Sequence, residues 1–546
     1  MKKNIQDLLI PVIKKSIESL VPAEGATPEI ILDFPTDAHF GELSTNIALK
    51  LAKGLKKPPV EIAKILINNI KSGLEEGNLI QYVREIKVEG AGFINFYFSN
   101  VFFHDYLQDI LKEKEKSFQP DFGSGKRVLI EFVSANPTGP LSVAHARQAV
   151  VGDVLANILS FLGFIVKKEY YLNDEGNQIN ILAASTGLRM RELQGEKIEF
   201  PENYYQGDYI KDIAADMLER GIKIEDAPDY PADYILKIIK QELDDFGVKF
   251  DTWFSQKALG AGGRIKETLD SLKKKGLLYE EGGALWFKST QFGDDKDRVV
   301  IKSDGSYTYL APDIAYHGDK YKRGFGWLIN LWGPDHHGYI NRLKASVQAL
   351  GHDAKSLSII IVQLATIFRN GVPVQMSTRR GQYITLREVL TEVGPDAARF
   401  FFVMRRTASH LDFDLEVAKK QTSENPVYYV QYAHARICSI LRNNPAGAET
   451  AGADLSLLNE KEEIELIKKL WQLPHILNMC LVTEDPYMLT VYLQEAAEYF
   501  HKFYDLHRVL GEDVKLTQAR LALCQATRIV IAAGLNLLGI AQPEKM

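Results

Sequence analysis

Apolar side chains recur at helical spacing near the start of the chain, with Ile5, Leu8, Leu9, Val12, Ile13, Ile17 and Leu20 close to a 3.6-residue period. Residues 86–88 and 93–98 alternate instead, with Gly90 and Gly92 between them, and predict strands. The mixture marks residues 1–115 as an α+β module, and the polar, Pro- and Gly-bearing stretch 112–126 predicts a linker. From Arg127 the rhythm changes. A β-rich run (127–133), a turn-rich loop (134–140), a helical pattern (141–162) ended by Gly163, and a second β-rich run (165–171) make the unit of a parallel doubly wound sheet. Residues 173–289 are charged and mostly helical, as an insertion would be. Further β-rich runs at 298–301, 327–332 and 357–364 predict a second α/β half. Beyond Thr385, whose Thr-Leu-Arg-Glu388 is a capping box, amphipathic patterns at 425–442, 460–477, 489–509 and 517–538 predict an all-α bundle.

The 546-residue length agrees with several domains of roughly 150 residues each. With 65 Lys and Arg against 71 Asp and Glu, the net charge of −6 argues against a histone-like surface but leaves room for a local basic patch. Cys438, Cys480 and Cys524 stand far apart in apolar helical stretches, so buried thiols in a reducing compartment are expected, not disulfides or a zinc site. No uninterrupted apolar run nears the roughly 18 residues of a bilayer span, and 529–541, the best, is broken by Asn536. No cleavable leader is evident, so the expectation is a cytoplasmic protein without a membrane partner.

Two phosphate-loop look-alikes fail. Gly123-Ser-Gly125-Lys126 has Arg127 where a hydroxyl must hold magnesium, and Gly260–Gly263 has no strand before it. Residues 131–152, EFVSANPTGPLSVAHARQAVVG, are more informative. They run from strand through loop into a helix with His145 in its first turn, where free N–H groups and the helix dipole favour an anion. A capped helix with a surface histidine is the plainer alternative. In residues 371–386, GVPVQMSTRRGQYITL, the side chains of Ser377, Thr378, Arg379 and Arg380 suit a clamp on pyrophosphate, or simply a solvated basic turn.

Taken together the two segments resemble the paired signatures of class I aminoacyl-tRNA synthetases. Ser142-Val-Ala-His145 is similar to HIGH, and Gln375-Met-Ser-Thr378 to KMSKS. SANPTGPL, AHARQAVVGD, YLAPDIAY (309–316), GPDHHGYINRL (333–343), DAARF (396–400), NPVYYVQYAHAR (425–436) and the final LLGIAQPEKM resemble the bacterial arginyl-tRNA synthetases over essentially the whole chain. The resemblance implies a multidomain α/β protein in three parts: an additional tRNA-binding module at 1–115, a Rossmann catalytic domain at 116–395 with the insertion at about 173–289, and a helical anticodon-binding domain at 396–546. It implies arginine–tRNA ligation, with ATP and its Mg2+ as substrate, no tightly bound cofactor and no protein metal site. The expected partners are tRNA(Arg), L-arginine and ATP, and a monomer is expected.

Arginine is a planar cation with five donors, so its pocket needs carboxylate and carbonyl-type acceptors. By resemblance these include Asp313 with Tyr309, the loop residues Ser134, Ala135 and Asn136, His145 near the junction with ATP, Glu131 as a second acid, and Asp335 on the pocket floor. Ser142, His145, Met376, Ser377, Arg379 and Arg380 are the implied ATP-binding and catalytic residues. Tyr428, Tyr432 and Arg436, with neighbours Tyr429 and His434, are implied to meet the tRNA anticodon, and Phe93, Phe96 and Tyr97 its outer corner. Ser142 and Ala144 replace the first histidine and the glycine of HIGH, and Gln375 and Thr378 replace the two lysines of KMSKS. Gly139 stands where some arginine enzymes carry a substitute lysine. Pyrophosphate charge then falls to Arg379, Arg380, His145 or a basic residue elsewhere in the chain. These departures also motivate the rival expectation, a non-catalytic paralogue that binds tRNA or arginine for regulation.

Overall fold

The computed structural model describes residues 5–20, 28–35, 37–374, 383–444 and 452–546. Five parallel strands form the central sheet, in the spatial order Leu357–Ile361, Trp327–Trp332, Arg127–Glu131, Ile165–Leu172 and Thr252–Ser255. The order reverses between Arg127–Glu131 and Trp327–Trp332, which pair in register from Val128 opposite Trp327 to Glu131 opposite Asn330. A crevice opens beyond the carboxyl ends of the strands at such a reversal.

Helix Val143–Phe161 follows the first strand and is buried along most of its length. Gly152 makes that possible, because a Cβ there would lie 2.4 Å from the Phe132 ring. Two buried guanidinium groups fix this helix. Arg147 lies within it and is fully buried. Arg399, on helix Leu386–Val403, pairs with Asp153 at 2.5 Å and donates to the carbonyls of Leu538 (2.7 Å) and Phe246 (3.0 Å). One side chain thus joins helix Val143–Phe161, the insertion and the C-terminal helix. Lys168 adds a bond to Asp153 at 2.8 Å. The Thr385–Glu388 capping box forms as its spacing predicts, and the helix it starts kinks at Gly394 (φ 78°), just before Pro395.

Several local expectations change. Thr252–Ser255 lies inside the stretch read as a helical insertion, yet it is the edge strand of the main sheet. Arg298–Ile301 joins no parallel sheet; it pairs antiparallel with Ala284–Phe287, which pairs with Leu278–Glu281. The 460–477 pattern is two helices, Lys461–Trp471 and Leu473–Thr483, because Pro474 favours a fresh first turn. The polar stretch at 112–126 contains a 3-10 turn, Lys114–Phe118, whose Phe118 is buried and stacks on Phe161.

The N-terminal module has three antiparallel strands, ordered Leu43–Thr45, Phe93–Phe98, Val83–Glu89. It packs on the helical bundle around Trp471, which meets Phe34, Phe98, Phe102 and Phe103. Helix Val514–Leu538 is 25 residues long and apolar enough to cross a bilayer by length and composition, although polar residues interrupt its run; 72% of its most apolar window is buried in the bundle.

Candidate active site

The loop ahead of His145 meets residues 383–386. Ser142 bridges Thr385 in antiparallel fashion, the Leu386 N–H donates to the Leu141 carbonyl at 2.7 Å, and the Tyr383 hydroxyl donates to the Pro140 carbonyl at 3.0 Å. The loop entering helix Val143–Phe161 is therefore stitched to the chain that starts helix Leu386–Val403. Glu242, almost fully buried on helix Tyr230–Asp245, faces the Leu141 N–H from below, and burial pushes its carboxyl up to about 7.

At the head of the helix Ser142 is the N-cap. Its N–H donates to Nδ1 of His145 at 3.2 Å, with its hydroxyl 3.1 Å from the same nitrogen. Burial lowers the His145 pKa to about 4, so the ring is neutral near pH 7. With Nδ1 accepting, the ring proton sits on Nε2, and His145 offers one neutral donor beside the cavity. The loop before it carries backbone strain: Val133 (φ 65°) and Ser134 (φ 41°) are consecutive non-glycine residues in the left-handed region. The turn is held by Ser134 Oγ, which accepts from the Tyr171 N–H (3.1 Å) and donates to Glu131 (3.3 Å), and by the Tyr170 hydroxyl, which donates to the Ala135 carbonyl (2.9 Å).

A cavity of about 690 Å³ opens at the sheet's switch point, between this loop and the ends of strands Trp327–Trp332 and Leu357–Ile361. Its carboxylates are Glu131, Glu175, Asp313 and Asp335, and no lysine or arginine among the described residues lines it. Asp313 sits in the first turn of helix Leu310–Lys322 and accepts the Tyr339 hydroxyl at 2.6 Å. Burial raises the Asp313 carboxyl to about 7; the Tyr339 bond and the Lys320 charge work against that rise, and the Glu131 charge adds to it. Glu131 does not face the cavity as a free charge, because fully buried Lys320 pairs with it at 2.5 Å and also donates to Asn330 at 3.2 Å. Asn330 in turn meets His317 at 2.9 Å, and His317 bonds the Asp313 carbonyl at 2.8 Å.

Of the residues singled out from the sequence, Glu131, Ser134, Ala135, Asn136, His145, Tyr309, Asp313 and Asp335 all line this one cavity. Their availability differs. Ser134 and Ala135 spend their polar groups on the turn, and the Asn136 amide donates to Gln178 at 2.6 Å. Tyr309, 79% exposed, stands at the mouth, and so does Asp335, whose side chain is 79% exposed on the turn Pro334–Tyr339. The segment expected to lay the floor through Asp335 instead sends in Tyr339. Met376, Ser377, Arg379 and Arg380, with Gln375 and Thr378, lie outside the described residues.

Sequence reasoning passed over Lys320, His317, Asn330 and Tyr339. A signal existed for two of them: Asp313, His317 and Lys320 fall at i, i+4 and i+7 on one helix face. Among the described residues no three His, Cys, Asp or Glu side chains converge on a common metal position.

On helix Pro426–Arg442 the rings of Tyr428 and Tyr432 stack at 6.1 Å, and Arg436 donates to the Tyr432 hydroxyl at 3.1 Å while lying over its ring. All three are partly exposed. His434 is buried on another face and bonds the Pro543 carbonyl at 2.9 Å.

Three family patterns match the chain: the arginyl tRNA synthetase N-terminal domain at 7–98, the class I (R) tRNA synthetase catalytic domain at 106–408, and the DALR anticodon binding domain at 430–546. The chain is 46% identical over 560 aligned positions to an arginine–tRNA ligase of Citrifermentans bemidjiense, covering all of both chains. It is 43% identical, again over the full length of both, to an arginine–tRNA ligase of Listeria monocytogenes. The solved arginyl-tRNA synthetase of Thermus thermophilus has the same fold, with a TM-score of 0.77 over the whole of both chains at 21% identity.

Proposed function

The chain belongs to the arginyl-tRNA synthetase family, and from that premise we propose how its cavity serves the ligation of arginine to tRNA. Its activity is that of an arginine–tRNA ligase using ATP. Arginine enters with its guanidinium against Asp313, which Tyr339 aims from behind; this acid at the wall of a cavity without a described lysine or arginine is the observation that carries the assignment. Lys320 neutralises Glu131 in place, so Asp313 is the buried acid left to meet the guanidinium charge, and Glu131 acts on the substrate as a hydrogen-bond acceptor.

The arginine carboxylate then attacks the α-phosphorus of ATP and pyrophosphate leaves. The Nε2–H of His145 donates to a phosphate oxygen, and Arg379 and Arg380 meet the charge on the leaving group. Ser142 orients His145, and Met376 and Ser377 flank the phosphates. In the second step the terminal ribose hydroxyl of tRNA takes the arginyl carbonyl and AMP leaves. Magnesium comes in on the triphosphate, held by its oxygens.

By the same reading residues 1–115 and 396–546, which pack on one another around Trp471, hold the tRNA, and 116–395 is the catalytic part. Tyr428, Tyr432 and Arg436 offer stacking faces and a cation to splayed anticodon bases. A cytosolic monomer fits the three buried cysteines and the buried apolar helix Val514–Leu538. Aminoacylation of total tRNA with each of the twenty labelled amino acids tests the reading: arginine alone should be transferred. The altered signature positions favour one rival, a paralogue that binds tRNA or arginine for regulation. It predicts no adenylate from the unmodified chain whatever tRNA is supplied.

A further inference from the structure

Arg147 lies two residues after His145 and has no accessible surface. A buried guanidinium ordinarily takes a carboxylate partner, because an uncompensated charge in a protein interior is costly. Here every hydrogen bond goes to a backbone carbonyl. Nη1 donates to Gln363 (2.8 Å), Ser409 (2.8 Å) and Leu364 (3.4 Å), Nη2 to Arg406 (3.1 Å), and Nε to Phe402 (3.4 Å). Two of these carbonyls belong to the cavity wall, since Gln363 and Leu364 line it. The others belong to the corner 402–409, where the chain leaves helix Leu386–Val403 for strand Leu411–Asp414.

The far side of that corner is gripped by the helical domain. Thr407 gives its N–H and its hydroxyl to the two oxygens of Asp485, both at 2.9 Å. Asp485 sits between helices Leu473–Thr483 and Tyr487–Leu506 of the anticodon-binding match. The Thr407 carbonyl also accepts the Gln363 N–H at 3.0 Å, so the corner touches the cavity wall directly. Burial works against the Arg147 charge, and Asp485, beyond the corner, favours it.

We propose that Arg147 and Asp485 are positioning residues which clamp the corner 402–409 between them, and that the helical domain thereby sets the Gln363–Leu364 wall of the cavity. This rests on reading the cavity as the arginine and ATP site. A fork of donors is needed on one side, because only a guanidinium reaches the five carbonyls of the two segments together. A two-oxygen acceptor is needed on the other.

Asp485→Asn, Thr407→Val, Thr407→Ser and Arg147→Lys test the clamp in the full-length chain. Asp485→Asn and Thr407→Val should raise the KM for arginine or ATP about 2- to 30-fold, the range for residues that couple two sites without touching a ligand. Thr407→Ser keeps both bonds and should keep wild-type KM values, and Arg147→Lys, which retains charge without the fork, should resemble Asp485→Asn. Melting temperatures measured alongside separate positioning from loss of fold. Unchanged KM values for both substrates in Asp485→Asn and Thr407→Val overturn the clamp, even if those proteins melt earlier. Should Arg147→Lys not fold, these two variants at the other end still decide. If the unmodified chain charges no tRNA, the functional reading has failed instead. The clamp is then tested by titrating ATP and arginine against the fluorescence of Trp332, in the cavity, where equal affinities in wild type and Asp485→Asn would overturn it.

Discussion

The backbone N–H of Ser142 points at Nδ1 of His145 from 3.2 Å, and this contact fixes which nitrogen of the ring can serve a phosphate. Serine at the position of the first signature histidine keeps the helix capped and its neighbour oriented. His145→Ala should therefore slow adenylate formation roughly 10²-fold or more, the loss expected for one donor to a developing charge. With its pKa lowered to about 4, His145 should contribute no limb to the rate profile between pH 6 and 8. Single-turnover pyrophosphate release against pH checks both points; a limb near 6.5 that vanishes in the variant would refute the neutral donor.

Asp313→Ala should weaken arginine binding by about 2–5 kcal/mol, because it strips a buried guanidinium of its charged partner, and should leave ATP binding nearly unchanged. Arginine binds the ionised carboxylate, and the carboxyl of the free protein is raised to about 7. Affinity for arginine should thus be full above that pH and fall as pH drops through it, approaching tenfold per unit below. Calorimetric titration from pH 5.5 to 8.5 measures this slope, and Asp313→Asn should flatten it.

Replacing Arg379 or Arg380 by Ala should lower the adenylation rate roughly 10²-fold while arginine affinity barely moves, since the partner proposed for them is phosphate. Pyrophosphate release in the presence of tRNA reads the first effect and equilibrium binding the second. A double Arg379→Ala/Arg380→Ala protein at full rate would place the compensating cation elsewhere in the chain.

Breaking the buried Asp153–Arg399 pair by Arg399→Met should cost about 3–5 kcal/mol of stability, since Asp153 would keep the partly exposed Lys168 as its one charged partner among the described residues. Adding Asp153→Asn should recover part of that loss. Urea denaturation of the two proteins gives the comparison.

What could be read in the sequence was local. The strand–loop–helix carrying His145, the Thr385 capping box and the position of Asp313 on a first helical turn each depend on neighbours within a few residues. Pairing between distant segments was not legible. Thr252, Trp253 and Phe254 are β-favouring types, but four residues are too few to name a partner strand, and Arg298–Ile301 owes its sheet to the hairpin before it. In the site, the Pro334–Tyr339 turn decides that Tyr339 reaches Asp313 while Asp335 stays at the mouth, a choice made by backbone direction and not by residue type. The exchange of Glu131's charge with Lys320 likewise needs the helix and the strand brought together across 189 residues.

An acid poised near neutrality can hold two different guests. Ionised, Asp313 accepts from a guanidinium; protonated, it becomes a donor, and the matching guest is a ureido group, which has the shape of the guanidinium but an oxygen in place of one nitrogen. Citrulline is the amino acid with that group. With arginine placed against Asp313 as proposed, competition between citrulline and arginine should narrow steadily as the medium is acidified.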